Sequence, residues 1–235
     1  MAAQRQGRHS HQHRLIRILG AERGLTLTGI LGGLASSIAV TSSLAEESKI
    51  NPQILSSAVF ATAIASSTVF PRVFFIAAIV NKEVLPDLFI PLLTMTAVGV
   101  ALAYISHRKS PPQGGEVKVS DPFRILPALK LGSLFALVLI ISRLAGLYFG
   151  DTGIYAASIL SGLVDVDAIT LSMATLARST LTPSVAATSI TLAVIANTLV
   201  KLGIAYVLGS REFGNRTAVI LLPMALAGIL SMLLI

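Results

Sequence analysis

The chain has 235 residues, 54% of them hydrophobic and only 12% charged, with no cysteine and a formal net charge of +7. A soluble domain carries roughly 25% charged residues, so this deficit, with charges clustered between apolar stretches of about 20 residues, excludes a water-soluble globule. The lack of cysteine excludes disulfides, thiol catalysis and thiolate metal sites.

Residues 1–24 read as a basic tail, with Arg5, Arg8, Arg14, Arg17 and Arg23 against Glu22 alone. A basic segment ahead of a span fits positive-inside topology or attachment to anionic headgroups. No aromatic platform accompanies it, which argues against nucleic acid as a partner. His9, His11 and His13 alternate there, but such a tract is usually incidental. A basic start and an apolar run imitate a cleavable signal. The run from Thr26 to Ser43 is rich in Gly, Ser and Thr and recurs later in the chain, so a span is expected instead.

Seven apolar segments follow, at Leu25–Leu44, Ile54–Val80, Leu85–Ile105, Ala128–Tyr148, Gly153–Leu176, Val185–Leu208 and Thr217–Ile235. About 20 helical residues cross the ~30 Å hydrocarbon core of a bilayer, and the short alternating segments of a β-barrel are absent. Pro71 predicts a kink in the second segment. Residues 107–126, with Pro111, Pro112, Gly114 and Gly115, read as a flexible linker between 25–106 and 127–235.

The chain repeats itself. ILGGLASSIAVTSSLA (30–45) and ILSGLVDVDAITLSMA (159–174) share eight of sixteen positions at an offset of 129. Further on, AIASSTVF (63–70) matches VIANTLVK (194–201), which sets Ser66, Ser67 and Phe70 against Asn197, Thr198 and Lys201. Helices one to three therefore resemble helices five to seven. Four crossings separate corresponding helices, an even number, which predicts copies pointing the same way. The expected fold is an all-α integral membrane protein of about seven transmembrane helices. It is built from two parallel three-helix repeats with one extra helix between them, and RLIRILG (14–20) is an interfacial remnant of that helix's counterpart. Lys and Arg are balanced between the two sides, and the basic tail favours an inside N-terminus in the cell (inner) membrane.

The fifth segment carries Asp165 and Asp167 at membrane depth, where a carboxylate costs roughly 2.5–3.5 kcal/mol and therefore serves function or is tightly paired. On an unbroken helix positions i and i+2 point about 200° apart. Either one aspartate faces a neighbouring helix, or the helix opens near Gly162 and both converge. The sixth segment adds Asn197, Thr198 and Lys201, with Asn197 and Lys201 on one face. Two readings follow: a structural ion pair between Lys201 and an aspartate, or an ion or substrate site made of Asp165, Asp167, Asn197, Thr198 and Lys201. Ser36, Ser37, Ser66, Ser67 and Thr170 are candidates for its polar lining. Arg143 is expected to snorkel, and Arg72 either to snorkel or to pair with an acidic residue. With only oxygen ligands at depth, Asp165 and Asp167 suit Mg²⁺ or another hard cation, or a proton.

The stretches SILSGLVDVDAITLSMATLA (158–177), AVIANTLVKLGIAYVLG (193–209) and RGLTLTGILGGLASSIAVTSSLA (23–45) resemble the C-terminal domain of long MgtC/SapB-type bacterial membrane proteins. In that family the domain follows an MgtC-like domain associated with magnesium homeostasis, which these 235 residues lack, and its own function is not assigned. The resemblance implies that Asp165, Asp167, Asn197 and Lys201 fall in the family's motif segments.

The functional expectation is a transporter or channel-like protein for a hard cation, Mg²⁺ or other, with proton coupling as a variant. The alternative is a non-transporting regulatory or structural partner of another membrane complex. An enzyme is not expected, because neither His nor Cys lies at depth beside the carboxylates. Expected partners are the lipid bilayer and a second copy or another membrane protein, with no cofactor beyond a hard cation as ligand.

Overall fold

Helices begin where a side chain can take up N–H groups that lack an intrahelical acceptor. Asn51 accepts from the N–H of Gln53, Asn81 from Glu83, Thr182 from Val185 and Ser210 from Phe213. The structure, a computed structural model, describes residue 33 and residues 36–109 and 125–233. Its helices are α1 (residues 36–50), α2 (Leu55–Ser67), α3 (Val69–Val80), α4 (Leu85–Lys109), α5 (Ile125–Gly162), α6 (Val166–Leu176), α7 (Pro183–Leu208) and α8 (Arg211–Met232). Short 3-10 turns lie at Pro52–Ile54 and Lys82–Val84, and no strand occurs among the described residues. The basic tail with its three histidines, the 14–20 fragment and most of the 107–126 linker lie outside the described residues.

Five helices are long and apolar enough to cross a membrane, at Pro52–Val80, Lys82–Arg108, Phe135–Gly162, Pro183–Leu208 and Arg211–Met232. The first joins α2 to α3 across Thr68. Pro71 lacks an N–H and its ring presses on the carbonyl of Ser67, so the distortion falls at Thr68, one turn before the proline itself.

Two of the seven expected segments are not among these five. At ~1.5 Å per residue, the described part of α1 is about 22 Å long and α6 about 16 Å, both short of a ~30 Å core. Helix α5 folds back on itself at Gly150, whose φ of 60° and ψ of −149° only glycine adopts without strain. A Cβ on Gly153 would lie 2.9 Å from the carbonyl carbon of Ala145, although eight residues along one straight helix span about 12 Å.

The second arm of α5 then runs alongside α7 in the same direction. Tyr155 lies beside Thr188, and Gly162 lies against Ala193. The helix ends at Gly162, turns through Leu163–Asp165 and re-forms as α6. Leu181 N–H bonds to Leu176 O, so the end of α6 abuts the start of α7. Helix α6 must therefore run back antiparallel to α7. The arms 151–162 and 166–176 enter and leave on one side, with their tip about half-way along α7. In the first copy α1 returns toward the start of α2 in the same manner, and Gly33 packs on Ala65 and Thr68.

Helix directions overturn the parallel repeat. Arg216 near the start of α8 bonds to Ser56 near the start of α2, so these helices begin on one side. Tyr206 packs on Gly214 across the α7–α8 turn, which makes α7 antiparallel to α8 and hence to α2. Parallel copies would align α7 with α2. The copies are inverted, because the hairpin around Asp165 contributes no crossing and corresponding spans are three apart, an odd number.

The inversion is visible at single-residue level where α4 and α8 cross. A Cβ on Gly99 would lie 2.7 Å from Cε of Met224, and one on Gly228 would lie 2.7 Å from Sδ of Met95. Met95 and Met224 are 129 apart, and so are Gly99 and Gly228. Each methionine fills the notch of the other copy's glycine, as an approximate two-fold axis requires. Through α2, α3 and α7 the offset is 128, because Ala65 packs on Gly33 as Ala193 packs on Gly162, and Ser67 meets Gly99 as Ile195 meets Gly228. This corrects the sequence match there: Val69, not Ser66, corresponds to Asn197, and Val73, not Phe70, corresponds to Lys201.

Candidate functional site

The break at Leu163–Asp165 decides what both aspartates can do. Asp165 has an extended backbone, with φ −155° and ψ 124°, and serves as the N-cap of α6. Its Oδ1 accepts the N–H of Asp167 at 2.7 Å and of Ala168 at 3.1 Å. The helix opens as one of the two sequence readings required, but that oxygen of Asp165 turns to its own backbone. Ser36, the matching position of the first copy, accepts the N–H of Ala39 at 3.3 Å. A side-chain oxygen thus accepts the N–H three residues on in both copies, and only its charge is particular to the second.

Asp167 points elsewhere. Its Oδ1 lies 3.1 Å from Nε of Arg72 at the start of α3, and both side chains are largely shielded, at 24% and 19% exposure. The N–H is not aligned for a hydrogen bond, so the contact is Coulombic. Arg72 also donates through Nη1 to the carbonyl of Gly33 at 3.5 Å. One guanidinium therefore ties the first copy's hairpin position to the second copy's carboxylate. Of the two expectations for Arg72, pairing holds.

The remaining residues fall into two groups. Asn197 is 4% exposed and donates from Nδ2 to the carbonyl of Gly162 at 3.1 Å, which pins the hairpin tip to α7. Thr198, Thr170 and Ser67 are buried, and their hydroxyls bond to Val194 O, Val166 O and Ala63 O within their own helices. Ser37 is buried, whereas Ser36 is exposed and does not line a closed site. Ser66 is fully buried and its hydroxyl has no hydrogen-bond partner among the described residues.

Lys201 is 0% exposed, yet Nζ has neither a hydrogen-bond partner nor a carboxylate within 4 Å among the described residues. The expected ion pair with an aspartate is not formed among the described residues.

The surroundings of Asp165 and Asp167 offer few further oxygen ligands among the described residues. One oxygen of Asp165 is occupied by two N–H groups, Asp167 faces a guanidinium, and no group of three metal-ligating side chains occurs among the described residues. Mg²⁺ requires near-octahedral oxygen ligation.

Residues 11–209 match the family described as a domain of unknown function, DUF4010. The chain belongs to the DUF4010 family. An uncharacterized protein of Aquifex aeolicus (strain VF5) is 33% identical over 192 residues, covering 80% of this chain and 84% of that protein. No solved structure matches. The DUF4010 match contains both hairpin positions and every charged side chain of the cluster. Arg72 is the central residue that sequence reasoning left outside the site, and the signal for it is an arginine at membrane depth directly after Pro71.

Proposed function

We propose that this chain is a multi-pass transporter of the cell (inner) membrane that exchanges a proton or a monovalent hard cation at Asp167. Its described residues would cross the bilayer five times and insert the helical hairpin 151–176 to about half depth. Non-helical backbone at that depth is tolerated where it is buried in protein or lines a cavity, and transporters commonly place ion sites at such broken helices between inverted repeats. The observation that carries the reading is the Arg72–Asp167 contact across the two copies. The guanidinium is an internal stand-in for a cation, and a proton or ion that replaces it frees Arg72 and uncouples α3 from α6. The magnesium association implied by the MgtC/SapB resemblance belongs to a domain outside these residues and adds nothing at Asp167.

The test is cation-dependent thermal stability of the detergent-purified chain in Na⁺, Li⁺, Mg²⁺ and choline across pH, followed by flux in proteoliposomes. A ligand at 100 times its Kd stabilises by ~2.7 kcal/mol. The expected result is a response to protons or a monovalent cation that Asp167→Asn abolishes. An equal response in wild type and Asp167→Asn, or none in either, rejects the proposal and favours a non-transporting membrane partner.

A further inference from the structure

Removing a crossing at the hairpin changes which charges share a face. Phe60 in the second turn of α2 packs on His107 at the end of α4, with ring centroids 4.5 Å apart, and Arg216 of α8 bonds to Ser56 of α2. The starts of α2 and α8 and the end of α4 therefore lie on one face. Helix α5 begins there too, because its first arm runs toward the reversal at Gly150, beside the second arm that follows α7. That face carries Lys49, Arg108, Lys109, Lys130, Arg211 and Arg216 at or near helix ends, and the joining segment 110–124 adds Lys118 and Arg124 by sequence. The opposite face, where α3 ends and α7 begins, carries Lys82, Arg143 and Arg178. Seven crossings would balance the two sides by setting Arg211 and Arg216 across the membrane from Arg108 and Lys109. The two copies repeat the bias at equivalent helix starts, related by the offset of 129 between α4 and α8. Lys82 and Glu83 keep their signs in Arg211 and Glu212, whereas Asp87 is replaced by Arg216. The guanidinium of Arg108 lies 4.7 Å from the ring centroid of Tyr104, itself 51% exposed, a pairing suited to the headgroup level of a bilayer.

We propose that the face on which α2 and α8 begin is cytoplasmic, with its basic rim seated against anionic lipid headgroups of the inner leaflet. Lys and Arg accumulate on the cytoplasmic side of short-looped membrane proteins, and the negative surface of that leaflet attracts basic groups close to the membrane. The hairpin 151–176 then enters from the outer face, because its arms begin at Gly150 and end at Leu176 on the side opposite the basic rim. The proposal rests on the five-crossing part of the reading above and is independent of what Asp167 binds.

The experiment expresses single-cysteine variants of the full chain and treats sealed spheroplasts with an impermeant maleimide, before and after the membrane is opened. Glu83→Cys and Ser179→Cys should react in sealed spheroplasts, and Gln53→Cys and Glu212→Cys only once the membrane is open. The reverse pattern overturns the proposal and leaves the five crossings standing. A pattern that pairs position 53 with 179 overturns the five crossings and the proposal together. The lipid contact is read from thermal unfolding in nanodiscs of phosphatidylcholine with or without phosphatidylglycerol at low salt. Phosphatidylglycerol should raise the wild-type midpoint by about 2–4 °C, a gain that high salt removes and that Arg108→Gln/Lys109→Gln/Arg211→Gln largely loses. No gain in wild type, or an equal gain in the triple variant, overturns the seating of the rim on anionic headgroups. Should the triple variant not fold, the labelling pattern and the wild-type midpoints still decide.

Discussion

Arg72 of α3 and Lys201 of α7 are two cations of the helical interior, and only Arg72 has a carboxylate beside it among the described residues. They are not equivalent positions of the two copies, since the contacts of α3 and α7 set Arg72 opposite Val200 and Lys201 opposite Val73.

The Arg72–Asp167 contact should behave as one unit. Removing one member of a buried pair costs 3–5 kcal/mol, and partial exposure lowers this to about 1–3 kcal/mol for Asp167→Asn. The double variant Arg72→Met/Asp167→Leu removes both charges and should regain most of that loss. Thermal unfolding of the four proteins of this cycle checks it, and additive losses would show that the two side chains do not couple.

Asp165 is expected to matter as a cap more than as a charge. Asp165→Asn keeps an acceptor for the N–H groups of Asp167 and Ala168 and should leave stability within about 0.5 kcal/mol, whereas Asp165→Ala should cost about 1 kcal/mol. If Asp165→Asn instead erased the cation response, the carboxylate would be a ligand.

Close helix approach predicts opposite signs at two glycines. A Cβ on Gly162 would come within 2.6 Å of Ala193 Cα, so Gly162→Ala should cost about 1–3 kcal/mol and loosen the hairpin tip. Gly203, in the same helix as Ala193, has nothing within 4 Å, and Gly203→Ala should gain about 0.4–1 kcal/mol by restricting the unfolded chain. Denaturation midpoints of the two variants provide the comparison.

Topology can be read with single cysteines, since the chain has none of its own. Gln53, Glu83, Ser179 and Glu212 are all exposed at helix ends. Inverted copies place Gln53→Cys and Glu212→Cys on one side of the membrane and Glu83→Cys and Ser179→Cys on the other. Seven crossings in parallel copies would instead pair position 53 with 179 and position 83 with 212. Labelling with an impermeant maleimide in oriented vesicles distinguishes the two patterns.

Composition and segment length alone determined that this chain is helical and apolar enough to cross a membrane, because span length and charge depletion are properties of the sequence one residue at a time. The sequence also exposed the duplication and placed Asp165, Asp167, Asn197 and Lys201 in its marked segments. Crossing number was not legible, because the hairpin around Asp165 and a continuous span have the same hydropathy. They differ only in the turn at Leu163–Asp165 and the reversal at Gly150, and that one crossing changes parallel copies into inverted ones. The pairing of the charges was beyond sequence for the same reason. Arg72 and Asp167 lie 95 positions apart and meet only when the copies pack across their shared axis, where Met95 and Met224 each fill the other's glycine notch. Tertiary structure therefore decided which cation is answered and which is left alone: a carboxylate and a guanidinium attract over a few ångströms, and only the fold sets that distance.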